Sequence, residues 1–263
     1  MNELAAALGL AATNELVALV GGGGKSTLLF ALGRAMAAAG QRVILTSTTR
    51  LASEQVAWAP AHCVVGGVES DECLQRALDR HRWCVLIGEL GEEKALGVAK
   101  DLPGRLLARP DVDLVLVEAD GARRRPVKAP AEHEPAIPAG TTLLVVVAGV
   151  DALGQPIRTV AHRPERAAAL LDKVPEETLT TVDLARLLAH PQGGLKGKPP
   201  EARAVVVLNR VSAAAREAAV AAGPMTADDP VAETARLLLA NRRVDRVLAT
   251  ELEGSQPVRE VWR

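Results

Sequence analysis

The chain predicts an α/β protein built on a doubly wound, mostly parallel sheet, and three observations carry the prediction. Six short runs, ELVALVG, QRVILTS, DLVLVEA, TTLLVVVAG, RAVVVLN and DRVLAT, are apolar almost throughout, as strands covered on both faces of a parallel sheet have to be. Longer stretches with helical spacing separate them, the alternation that crossover helices produce. The first run also leads into GGGGKST, a glycine turn that opens a helix. A glycine turn between strand and helix is how a P-loop is made, so the sheet is expected to be of the P-loop NTPase type.

Taken in order, residues 1–20 read as a short helix followed by a strand. Glu3 and Glu15 and the lack of a basic start argue against a signal peptide. In STLLFALGRAMAAAG, Leu28, Leu32 and Met36 recur at helical spacing, and Gly40 stands where a C-cap belongs. Strand, helix and the following QRVILTS make one βαβ unit of about 30 residues. Residues 52–110 are less regular, with strands expected at HCVVGG and WCVLIGE and a helix between them. They are read as an insertion or a peripheral part of the same sheet, within a single domain spanning residues 1–263. Residues 121–140, punctuated by Pro126, Pro130, Pro135 and Pro138, form a long loop of the kind that is usually functional or disordered. HRPERAAALL and TVDLARLLAH read as helices, and PQGGLKGKPP as a flexible connection.

Composition excludes more than it assigns. A hydrophobic content of 48% supplies a sizeable core, but with one Phe, three Trp and no Tyr it has to be packed from Leu, Val and Ala. The net charge of −1 gives no reason to expect nucleic acid or an anionic membrane as partner. No charge-free run has the length of about 18–20 residues that a membrane span requires. Cys63, Cys73 and Cys84 form no C-x-x-C pair; their odd number and spacing argue against a disulfide framework and fit a reducing, cytoplasmic setting. Their spacings with His62 and His81 match no common zinc pattern. His133, in AEHEP, is not part of H-E-x-x-H, and His162 reads equally as a helix-start residue or a ligand.

The glycine loop departs from G-x-x-x-x-G-K-[ST], since position 19 is Leu and the loop starts at Gly21. What remains, Gly21, Gly22, Gly23, Gly24, Lys25, Ser26 and Thr27, still has the parts phosphate binding needs. Glycine lets backbone N–H groups approach phosphate oxygens, and the helix N-terminus adds partial positive charge. Lys25 supplies a charge for the β- and γ-phosphates, and Ser26 a hydroxyl for Mg²⁺.

Ligands in such sheets lie beyond the carboxyl ends of the strands, so other strand ends should complete the site. Thr48 and Thr49, after QRVILTS, could meet Mg²⁺ or the γ-phosphate, or cap a helix. DLVLVEADGARRRPVKAP ends its apolar run in Glu118 and Asp120, placed to hold Mg²⁺ directly or through water, or to orient an attacking group. Arg123, Arg124, Arg125 and Lys128 follow, cations suited to a phosphate or another anionic substrate. Asn209, ending VVVLN, is either a base reader or a turn former. With Ser212 where N-K-x-D has its aspartate, ATP is favoured over GTP.

VGGGGKST, ILTSTTR, LVEADGARRRPVKAPAEHEPAIP, GVDALGQPI, HRPE, HPQGGLKG and VVVLNR occur in that order, and the chain resembles the YqeC family from about residue 15 to residue 215. Members are described as accessory proteins of selenium-dependent molybdenum hydroxylases. The resemblance implies a cytoplasmic P-loop protein that helps make or insert a selenium-containing cofactor, with a molybdenum hydroxylase as client. It marks Gly21 to Thr27, Thr48, Thr49, Glu118, Asp120, Gly121, Arg123, Arg125, Lys128, His133, Glu134, Asp151, Gly154, His162 and Arg163. The expected activity is Mg²⁺-ATP binding with Lys25, Glu118 and Asp120 at the reacting end. Thr48, Thr49, Arg123, Arg125, Lys128 and His133 would hold an anionic acceptor for phosphoryl transfer or ATP-driven activation. The alternative is a nucleotide-switched cofactor chaperone with little or no turnover.

Overall fold

All six predicted strands, and both strands expected in the irregular region, lie in one nine-stranded sheet. The computed structural model describes residues 3–10, 13–221 and 229–263. In chain order the strands are β1 (Glu15–Gly21), β2 (Val43–Ser47), β3 (His62–Val64), β4 (Trp83–Ile87), β5 (Leu114–Glu118), β6 (Leu143–Gly149), β7 (Arg203–Asn209), β8 (Arg246–Thr250) and β9 (Val258–Trp262). Their order across the sheet is β9-β8-β7-β6-β1-β5-β2-β4-β3. Every neighbouring pair is parallel except β8 with β9.

The helices are α1 (Glu3–Leu8), α2 (Lys25–Ala38), α3 (Gly67–His81), α4 (Leu102–Leu107), α5 (Pro164–Leu171), α6 (Thr181–Ala189), α7 (Ala213–Ala221) and α8 (Pro230–Leu239), together with shorter turns. α2 ends one residue before its C-cap, Ala39, and Gly40 follows with φ +91°, the left-handed exit that glycine accommodates.

Strand alternation divides the core. Val17, Leu19, Val145 and Val147 face α1 and α2; Ala18, Val20, Leu144 and Val146 face α5, α6 and α8. A third cluster joins Ile44, Leu86, Val115 and Val117 to α3 and α4. The sole Phe, Phe30, meets Trp58 and Trp83 edge-on, with ring centroids 5.2 and 6.5 Å away.

Residues 52–110 contribute β3 and β4 to the main sheet. They also form a small antiparallel sheet, in which Arg50–Ala52 pairs with Lys94–Leu96, which pairs with Glu89–Leu90. One expectation fails here. Cys63 and Cys73 form a disulfide, because the short connection from β3 into α3 brings their Cα atoms to 5.9 Å. Cys84 is a free thiol in the core, and burial pushes it up to about 12. Residues 121–140 are largely irregular but well packed, since Val127, Lys128, Ala129 and Pro130 are all buried. There Val127–Lys128 pairs in parallel with Ala161–His162.

Candidate functional site

β1 ends at Gly21, whose φ of +98° and close approach to β6 leave no room for a side chain: a Cβ would lie 2.3 Å from the Val147 carbonyl oxygen. The chain then turns through three glycines into α2. Gly22 N–H donates to Val147 O at 2.8 Å and Gly23 N–H to Arg125 O at 3.1 Å. The groups left for an anion are therefore the N–H groups from Gly24 onward at the start of α2, which have no partners within the helix.

Lys25 opens α2 almost fully buried. Its Nζ donates to Gly21 O at 2.7 Å and lies 3.3 Å from Asp120 Oδ1 and 3.8 Å from Glu118 Oε1. Burial opposes its charge, but Asp120 and Glu118 outweigh burial and hold the ammonium above the ordinary lysine value. Ser26 Oγ donates to Glu118 Oε2 at 2.8 Å. Burial pushes Glu118 above the usual carboxylate range, against the pull of Lys25 and Ser26. Asp120 is only 2% exposed and accepts from Gly21 N–H at 3.2 Å. β5 lies between β1 and β2, which is why Glu118 and Asp120 arrive beside the glycine loop.

The predicted residues separate into those gathered here and those placed elsewhere. Lys128 does not lie on an open basic loop: its side chain is 0% exposed, 3.1 Å from Asp120 and 2.9 Å from Glu134, and donates to Gly121 O. Glu134 also pairs with Arg163 at 2.7 Å, and it is held down to about 2, burial notwithstanding, chiefly by its hydrogen bond from Lys128. Arg123 and Arg124 are exposed, both with positive φ. Arg125 is exposed and its guanidinium donates to Thr159 O. His133 is exposed. Thr48 Oγ1 donates to Ala136 O at 2.8 Å, and Thr49 Oγ1 lies 3.2 Å from Ser47 Oγ, so both hydroxyls brace the ends of β2 and the 121–140 segment.

Asn209 holds the glycine loop from behind rather than reaching beyond it. Its Nδ2 donates to Gly23 O at 2.8 Å, and its Oδ1 accepts from Thr250 Oγ1 and Leu252 N–H. Ser212 caps the start of α7, accepting from Ala215 N–H at 3.1 Å. Sequence reasoning missed Lys196, which donates to Ala131 O and Glu132 O beside Glu134, and Arg166, whose charge acts on Lys196. Arg166 lies in the first turn of the helix predicted from HRPERAAALL, three residues after Arg163, and that short basic run is the signal the sequence offered.

Among the described residues no group of three or more His, Cys, Asp or Glu is arranged to hold a metal. The Ser26 hydroxyl and the Glu118 and Asp120 carboxylates are hard oxygen donors beside a phosphate-type loop. That set fits Mg²⁺, which takes one or two carboxylates and completes its shell with water and substrate phosphates. Among the described residues no helix is long and apolar enough to cross a membrane.

A parallel sheet whose central strand opens through glycines into a Lys-Ser helix start, with two carboxylates from the neighbouring strand end, defines a P-loop nucleotide-binding fold. The chain belongs to the YqeC family: the model described as YqeC protein matches residues 17–165. The Escherichia coli (strain K12) protein named Uncharacterized protein YqeC is 34% identical over 206 residues, 78% of this chain and 79% of its own length. Among solved structures, the hydrogenase maturation factor HypB from Archaeoglobus fulgidus aligns over 97% of this chain and 89% of its own, with 16% identity and a TM-score of 0.39. Chloroplast FtsY from Physcomitrella patens aligns over 92% and 61%, with 13% identity and a TM-score of 0.43.

Proposed function

We propose that the protein binds Mg²⁺-ATP at residues 21–27 and couples it, by phosphoryl transfer or ATP-driven activation, to an anionic acceptor. The setting we propose is cytoplasmic maturation of the cofactor of a selenium-dependent molybdenum hydroxylase, a role that rests on membership of the YqeC family. The observation that carries the nucleotide reading is the meeting of Lys25, Ser26, Glu118 and Asp120 at the start of α2, with distances of 2.8–3.8 Å between cations or hydroxyl and carboxylates.

In this reading the N–H groups of Gly24, Lys25 and Ser26 receive phosphate oxygens. Lys25 exchanges Gly21 O and Asp120 for the β- and γ-phosphates. Ser26, Glu118 and Asp120 would hold Mg²⁺, which supplies charge neutralisation across the phosphates as the terminal group is transferred. Lys25 is kept protonated for that task by its carboxylate neighbours, and so stabilises charge spreading over the transferred group. ATP is proposed over GTP because Ser212 stands where a guanine-reading carboxylate would.

A second reading, a nucleotide-switched chaperone with little turnover, has its own support. The basic segment is fastened to the glycine loop by Gly23 N–H donating to Arg125 O. A Cβ on Gly22 would lie 2.5 Å from that same oxygen. A shift of the loop on binding phosphate therefore has to be felt at residues 121–126.

Calorimetric titration of ATP and GTP, with and without Mg²⁺, against wild type and Lys25→Ala tests the first reading. Mg²⁺-dependent ATP binding lost in the variant is expected; binding of neither nucleotide to wild type refutes it. Nucleotide-dependent protection of residues 121–140 from protease, with negligible turnover, would favour the chaperone; steady turnover stimulated by a small molecule would favour the enzyme.

A further inference from the structure

Arg166 is the anomaly outside the nucleotide site. It is half-buried, its Nε is shielded from solvent without a hydrogen-bond partner, and it makes no ion pair among the described residues. A guanidinium so placed is costly unless something anionic meets it.

Its surroundings are cationic. Arg163 is the N-cap of α5, left-handed at φ +65°, and its carbonyl accepts from Ala167 N–H at 3.0 Å, so it stands at the head of the turn that carries Arg166. Arg163 Nη1 is 2.7 Å from Glu134 Oε2 and 3.4 Å from His162 Nδ1. Lys196, from the turn after α6, directs Nζ at two neutral carbonyls, Ala131 O at 2.5 Å and Glu132 O at 3.0 Å. Neither contact cancels its charge. Two carboxylates, Glu132 and Glu134, act on Lys196; Glu132 is exposed, and Glu134 is already shared between Lys128 and Arg163. The charges act in the same sense: burial and then Arg166 hold Lys196 below the ordinary lysine value, with Glu132 and Glu134 opposing them. Burial, Arg163 and Lys128 do the same to His162, with Glu134 opposing them.

We propose that Arg163, Arg166 and Lys196, beside His162, form a second anion site that receives the phosphoryl or comparable dianionic end of a small molecule. Planar guanidinium forks suit such oxyanions, and an ammonium adds a point charge. A few cations on a chain of net charge −1 suit one small anion, not a track for nucleic acid. The site is wired to the glycine loop through Glu134, Lys128 and Asp120: Lys128 is 2.9 Å from Glu134 and 3.1 Å from Asp120, which is 3.3 Å from Lys25. This assignment deepens the proposed function, since it rests on the reading that an anionic acceptor meets the nucleotide, and it moves that acceptor from the exposed arginines to the α5 side.

Pyrophosphate titrated calorimetrically into Lys25→Ala protein, with the nucleotide loop disabled, tests it against Lys25→Ala combined with Arg166→Met. The expected result is one-site binding in the first protein and binding about tenfold or more weaker in the second, the loss of one charge-assisted contact. No binding in the first protein, or equal binding in both, overturns the proposal. Because Arg166 has no partner to lose, its replacement by Met should leave the thermal midpoint unchanged or higher; should that protein fail to fold, Lys196→Met reads the same loss. Mg²⁺-ATP titration of wild type and of Arg166→Met, expected to match, judges the nucleotide reading separately.

Discussion

Replacing Lys128 by Met keeps the length of a side chain that has no exposure and removes the charge between Asp120 and Glu134. Removing one partner from a buried ion pair costs about 3–5 kcal/mol. Asp120 retains Lys25 and the Gly21 N–H, and Glu134 retains Arg163, so the lower end of that range applies. The electrostatics of Glu134 give a second figure. Glu134 is held at about 2 in the fold against an ordinary 4.5, which corresponds to about 3 kcal/mol in all. Lys128 supplies the largest favourable part through its hydrogen bond. The sign follows from the direction: a carboxyl with a depressed folded pKa stabilises the protein above pH 4.5, and that stability is lost as pH falls through about 2. Urea unfolding followed by far-ultraviolet circular dichroism, at pH 7 and at pH 3, measures both effects. Lys128→Met should be about 3 kcal/mol less stable at pH 7, a drop of about 6–12 °C in thermal midpoint for a chain of this size. It should also lose less stability than wild type on acidification. Equal stability at pH 7, or an unchanged acid dependence, would refute the buried network.

Gly23→Ala should lose nucleotide binding and about 2 kcal/mol or more of stability, because its φ is +67° and the added Cβ would lie 2.2 Å from Gly149 N. Gly40→Ala, with φ +91° but nothing within 4 Å, should cost only about 1–2 kcal/mol for the left-handed backbone and keep nucleotide affinity; thermal unfolding and calorimetry on both proteins separate strain from site loss. Thiol titration under non-reducing conditions should find Cys84 silent in the folded protein, since its thiol is buried and pushed up to about 12. Denaturation should release that one thiol, and reductant the Cys63–Cys73 pair; three reactive thiols before reductant would show that the disulfide is absent.

The sheet was legible because its strands are buried on both faces. Residues Leu16 to Leu19 and Leu143 to Ala148 have no measurable exposure, and unbroken apolar runs are what such burial selects. β9 was not, since VREVW alternates half-buried and exposed residues at an antiparallel edge, and nothing apolar and continuous marks it. The glycine loop was legible as a local motif, and Glu118 and Asp120 lie beside it because β5 ends next to β1. The fate of Lys128 was hidden. A lysine in an arginine-rich, proline-braced stretch reads as exposed, and only the pairing of Val127–Lys128 with Ala161–His162 turns it inward onto two carboxylates. The disulfide was hidden likewise, because cysteine counting says nothing about how closely β3 and α3 pack.

Asp120, more than Glu118, is the residue through which the two halves of the site communicate. The Glu118 carboxylate accepts from Ser26 and pairs with Lys25, both on the phosphate side of the loop. Asp120 touches the Gly21 N–H, Lys25 and Lys128 at once, all between 3.1 and 3.3 Å. A phosphate that draws Lys25 away leaves Asp120 with Lys128 as its remaining cation, strengthening that pair at the expense of the bond between Lys128 and Glu134. Glu134 then leans on Arg163, the residue at the head of the proposed second anion site. Under the proposed function, nucleotide and anion act on the same chain of charges from opposite ends. By linkage, whatever the nucleotide does to the affinity at Arg163 and Arg166, the anion must do in equal measure to the affinity at Lys25.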